Sequence, residues 1–170
     1  MKRLLLPLTL AAALAPTLGS AQSTFQALLT GSGEFPINGS SATGFGTVVL
    51  SLDQTQITVN ESWTGLSAPA TGSHIHGPGG FGTNAGVLFP FAGVPSATSG
   101  SIAQQVFSIT PTQVGYLEAG YLYMNVHDAA FPGGEIRGQL VAVPEPGVAT
   151  LLTLGLGGMA AMGYRRRRQS

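Results

Sequence analysis

Gly72-Ser73-His74-Ile75-His76-Gly77-Pro78 holds two of the chain's three histidines, one residue apart. Side chains of an extended strand alternate faces, so His74 and His76 point one way and Ile75 the other. Gly77-Pro78-Gly79-Gly80 then ends the strand, because proline offers no ladder N–H and glycine accepts turn geometry. The third histidine closes a second strand-like run, Tyr121-Leu-Tyr-Met-Asn-Val-His127. Two further stretches repeat the polar–apolar–polar pattern: Asn125-Val126-His127 and Glu135-Ile136-Arg137.

Outward from these runs the chain keeps a strand rhythm. Thr24–Thr30, Thr43–Leu52, Ile57–Trp63, Ala85–Phe91, Ser99–Ile109 and Glu135–Ala142 read as further strands. In Ile57–Trp63 the alternation puts Ile57, Val59, Glu61 and Trp63 on one face. The second and third strands should pair antiparallel through the short turn Asp53–Gln56. Pro90 marks Ala85–Phe91 as an edge strand. One helix is expected after Thr110, with Thr110 as N-cap, Pro111 as first helical residue and Gln113 completing a capping box. Gly120 closes it. Strands at this spacing with one short helix predict an all-β fold, an antiparallel sandwich or Greek-key barrel.

Composition supports that reading. The 170 residues include 25 glycines and 11 prolines, with 8% charged and 44% hydrophobic residues. This is enough apolar surface to fold one turn-rich domain rather than remain disordered. The zero net charge hides an asymmetry. Between residues 22 and 146 Arg137 is the only base, against seven acids, a net of −6. Such a region repels phosphate backbones, which argues against nucleic-acid binding. The chain has no cysteine, so disulfides, thiolate metal sites and a cysteine nucleophile are excluded.

The ends read as addresses. Lys2 and Arg3, an apolar stretch to Leu18 and the small residues Gly19-Ser20-Ala21 predict a signal peptide over 1–21, cut by signal peptidase after Ala21. At the other end Pro144-Glu145-Pro146 precedes an uncharged apolar run over 147–164, then Arg165, Arg166, Arg167 and Arg168. The run is near the lower limit for a transmembrane helix, and the arginines favour the cytoplasmic side. Triplet, span and arginine cluster together resemble the PEP-CTERM sorting signal over 144–170. The resemblance implies an inner-membrane intermediate and cutting by an exosortase-type protease. Delivery would follow to the cell surface, the outer envelope or the extracellular space.

If the histidine strand lies beside the last two strands, His74, His76, His127 and Glu135 converge. His and Glu ligands suit zinc or copper. The alternative is a structural polar network, with Asn125 anchoring a loop and Arg137 paired to Glu135. The pattern contains no Gly-X-Ser-X-Gly elbow and no phosphate-cradling loop with lysine.

These stretches also carry a resemblance. Gly65-Leu66, His74-Ile75-His76-Gly77-Pro78, Asn125-Val126-His127 and Phe131-Pro132-Gly133-Gly134-Glu135-Ile136-Arg137-Gly138-Gln139-Leu140 are similar to the CHRD domain, named for chordin. The opening Leu28-Leu29-Thr30-Gly31-Ser32-Gly33-Glu34-Phe35-Pro36 fits as well, so residues 22–143 form the expected domain. The resemblance implies an extracellular β module without established catalysis. A weaker likeness is to copper–zinc superoxide dismutase, which also carries His-X-His on a strand of a Greek-key barrel. That enzyme needs more histidines than three, so one mononuclear site is the most this chain can build. The expected function is a non-enzymatic surface or matrix protein contacting exopolysaccharide or an envelope protein. The alternative is a mononuclear metalloprotein, in one version an enzyme, using His74, His76 and His127.

Overall fold

A computed structural model describes residues 22–144, and beyond them Gly155, Leu156, Met159 and Tyr164. The expected signal peptide over 1–21 lies outside the described residues, as does nearly all of the 147–164 run. Among the described residues no helix is long and apolar enough to cross a membrane.

Among the described residues nine strands form one antiparallel sheet: β1 (Thr24–Thr30), β2 (Thr43–Leu50), β3 (Gln56–Thr64), β4 (Ala70–His76), β5 (Val87–Pro90), β6 (Gly100–Ser108), β7 (Tyr123–Asp128), β8 (Ile136–Gln139) and β9 (Val141–Ala142). Their order is β5-β4-β7-β8-β1-β2-β3-β6, with β9 beside β1. Of the two expected architectures the chain adopts the barrel. The sheet curls until its outer strands meet, and side chains close the seam. Gln105 of β6 donates to the Ala92 carbonyl (2.7 Å) and accepts from the Ala92 N–H (3.0 Å), as a strand neighbour would. Phe107 packs against Phe89 and Phe91 at ring-centre distances of 5.5 and 6.0 Å.

Alternation decides what enters the barrel. Phe25, Ala27 and Leu29 of β1, Val48 and Leu50 of β2, and Ile57, Val59 and Trp63 of β3 are buried. Met124 of β7 reaches across the interior to Gly46 of β2, where a Cβ would collide with its sulfur. Helix α1 (Pro111–Glu118) has the expected capping box: Thr110 Oγ1 accepts from the Gln113 N–H and Gln113 Oε1 from the Thr110 N–H. Its Val114 and Leu117 enter the core.

Three expectations change in detail. β2 stops at Leu50, because Ser51 and Asp53 side chains bond the backbone of Thr55 and Gln56 and close the turn early, leaving Leu52 exposed. The last run splits at Leu140 into β8, beside β7, and β9, beside β1. β5 is indeed an outer strand, although shorter than expected.

Candidate metal centre

The outer face of β4, β7 and β8 carries the site. The ladder sets Gly72 opposite His127, His74 opposite Asn125 and His76 opposite Tyr123. On β8, Arg137 stands opposite Asn125. Alternation therefore gathers His74, His76, Tyr123, Asn125, His127 and Arg137 on one side, with Ser73, Ile75, Met124 and Val126 turned inward.

The three imidazoles meet. Their ring centres are 4.9 Å (His74–His127), 5.4 Å (His74–His76) and 6.0 Å (His76–His127) apart. Each offers one nitrogen, and these nitrogens lie within 4.8 Å of one another. His76 Nδ1 bonds the Ala85 carbonyl at 2.9 Å, and His127 Nδ1 bonds the Pro132 carbonyl at 3.0 Å. A carbonyl only accepts, so in both rings Nδ1 carries the proton and Nε2 presents a bare lone pair. Those two Nε2 atoms, and Nδ1 of His74, are buried without a hydrogen-bond partner. Burial, followed by the neighbouring His127 and His76, pulls the His74 pKa down to about 4. Burial likewise lowers His76 and His127, against the raising effect of their carbonyl partners. All three rings are neutral at pH 7.

Two bare lone pairs and a third ring nitrogen, all buried without a partner, are costly. A divalent cation resolves this. Two nitrogens on a tetrahedral zinc ion stand roughly 3.4 Å apart, so side-chain rotation must draw the set in by up to about 1.4 Å around an ion.

Surrounding groups hold the rings. Tyr123 stacks on His76 with ring centres 5.0 Å apart and planes within 5°. The Arg137 guanidinium covers the other face of Tyr123 at 3.4 Å. Arg137 also donates to the carbonyls of Gly80 (2.9 Å) and Thr83 (3.0 Å). It thereby pins the loop whose Ala85 orients His76. Such outer contacts fix ring orientation and lone-pair direction.

Glu135 does not join the histidines. Its carboxylate accepts from Ser40 Oγ (2.6 Å), Ser67 Oγ (2.8 Å) and the Ser67 N–H (3.0 Å). Continued register would set it opposite His127, but the β7–β8 ladder ends at Val126 and Ile136, and Gly134, at φ +129°, turns the chain there. The expected Glu135–Arg137 pair gives way to serine partners for the one and loop carbonyls for the other. Asn125 and Arg137 both belong to the network on the histidine face.

The comparisons agree with this architecture. The CHRD domain matches residues 25–140, and the PEP-CTERM protein-sorting motif matches 142–168. The chain belongs to the CHRD family. No curated protein and no solved structure gives a significant match. The CHRD match spans the barrel, and the sorting motif begins at its last strand. There β9 is tied back by the Val143 N–H donating to the Thr24 carbonyl (2.8 Å). The motif directs export through the membrane to the cell surface or extracellular space, with processing by an exosortase-type system.

Within the CHRD barrel, two participants were missed by the motif reading. Tyr123 shares the parity of Asn125 and His127, so its place on that face was readable. Glu34 was not: it arrives from the loop after β1. It is 5% exposed, and burial raises its pKa, partly offset by Arg137. A Cβ at Gly134 would strike Glu34 Oε1 and come within 2.8 Å of Asn125 Nδ2. Gly134→Ala therefore combines a disfavoured φ with a collision in the network. Urea denaturation should show a loss on the order of 3 kcal/mol.

Proposed function

We propose that this exported CHRD protein binds one zinc or copper ion through His74, His76 and His127 and carries it to the cell surface. The observation supporting this reading is the convergence of three buried, partnerless ring nitrogens on neutral imidazoles, two of them oriented by backbone carbonyls. Nitrogen-rich sites of this kind suit late first-row divalent ions rather than calcium or magnesium. Export begins, in the same reading, with signal peptidase cutting after Ala21.

Elemental analysis of the purified full-length protein tests this. After loading and desalting, about one equivalent of zinc or copper is expected, and His76→Ala and His127→Ala should retain less than a tenth of that. A wild-type chain that keeps no more metal than either variant overturns the reading.

A non-enzymatic binding role is compatible with the centre, and one feature favours it. A cleft of about 410 Å³ lies beside it, walled by Phe35, Pro36, Ile37, Phe131 and Pro132. It is large enough for part of a polysaccharide or an envelope-protein segment. Glu34, Asn38 and Asn84 also line it, so its walls offer polar as well as apolar contact.

A further inference from the structure

The histidines account for three positions around an ion, and their surroundings indicate the fourth. Asn125 lies directly across the ladder from His74 and two residues before His127 on the same face. It is 2% exposed, and its Oδ1 is buried with no hydrogen-bond partner. The orientation of the amide follows from its other neighbour. Asn125 Nδ2 and Glu34 Oε1 both crowd the point where a Cβ on Gly134 would sit. A carboxylate oxygen calls for a donor, so the NH₂ end faces Glu34 and the carbonyl oxygen is turned away from it, on the face that carries the histidines. One more buried acceptor without a partner thus lies on the histidine face.

Resting on the three-histidine reading, we propose that Asn125 Oδ1 is the fourth ligand, closing the centre as a three-nitrogen, one-oxygen site. Closed four-coordinate sites are structural, whereas catalytic ones keep a position for water or substrate. The ion then stiffens the loops between β4 and β5 and between β7 and β8 rather than activating a substrate.

Cobalt(II) substitution with azide as probe tests the closure. In the wild-type full-length protein the visible spectrum should have four-coordinate intensity and stay unchanged on adding azide. Asn125→Ala should open a position: azide now shifts the spectrum, and zinc affinity falls at least tenfold. Asn125→Asp keeps an oxygen in place and should remain azide-insensitive, which guards against a folding defect in the alanine variant. A wild-type cobalt spectrum that responds to azide as the alanine variant does, or alanine-variant zinc affinity equal to wild type, overturns the closure and leaves the three histidines standing. Failure of the wild type to take up cobalt or zinc at all overturns both.

Discussion

Zinc at a hundredfold excess over its dissociation constant should raise the thermal midpoint of the full-length protein by about 8 °C, and His76→Ala or His127→Ala should abolish the increment. An ion that binds only the folded state at this excess stabilises it by about 2.7 kcal/mol. For a domain of this size each kcal/mol moves the midpoint by roughly 3 °C. Without the ion, stability should depend on acid in a defined direction. The folded-state pKa of each histidine lies below its ordinary value, that of His74 at about 4. As pH falls below about 6.5 the unfolded chain takes up protons the folded site refuses, so stability drops between there and pH 4. Protons also compete with the ion for the same lone pairs, so the zinc increment should shrink over the same window. Differential scanning fluorimetry across pH, with and without zinc, measures both effects. Identical midpoints in the two series would remove the centre.

Glu61→Gln should stabilise the protein by roughly 4 kcal/mol at pH 8 and by under about 1 kcal/mol at pH 5. Glu61 projects from β3 into the barrel, 3% exposed, and burial pushes its pKa up to about 8 against the opposing bond with Ser73. Ser73 Oγ is hydrogen-bonded to Glu61 Oε2 and to the Asn125 carbonyl, the latter at 2.8 Å. A hydroxyl has one proton, and a carbonyl can only accept it. An ionised Glu61 therefore competes with the Asn125 carbonyl for that one proton, and a protonated carboxyl, donating to Ser73, relieves the competition. Because the folded-state pKa is raised, this stability is fully present below about 4.5 and is lost as pH rises through 8. Glutamine keeps the shape and donates to Ser73 at every pH. Urea titrations at pH 5 and pH 8 check it; equal destabilisation of the variant at both would show that the interior carboxyl is already ionised and needed as such.

Glu61 also shows what alternation alone could reveal. Its position among Ile57, Val59 and Trp63 by itself puts it on the buried face. The capping box at Thr110 and the outer position of the Pro90 strand were equally local and equally readable. The reading failed where partners come from far along the chain. Glu135 shares a motif with Arg137, yet Ser40 and Ser67 take its carboxylate, and neither serine is marked by any spacing. Glu34 sits in a loop without periodicity, and only the approach of Gly134 and Asn125 gives it a place.

The sequence by itself determined the strands, the side each residue takes along them, the glycine and proline ends, and the sorting address. These depend on the two-residue period of an extended backbone and on short contiguous signals. The tertiary structure decided that β4 lies beside β7, that the sheet curls into a barrel rather than splitting in two, and that three imidazoles separated by up to 53 positions in the chain meet while the glutamate does not. Neighbour choice among strands rests on long-range packing and on which distant donors reach a buried acceptor first, and no local pattern encodes either.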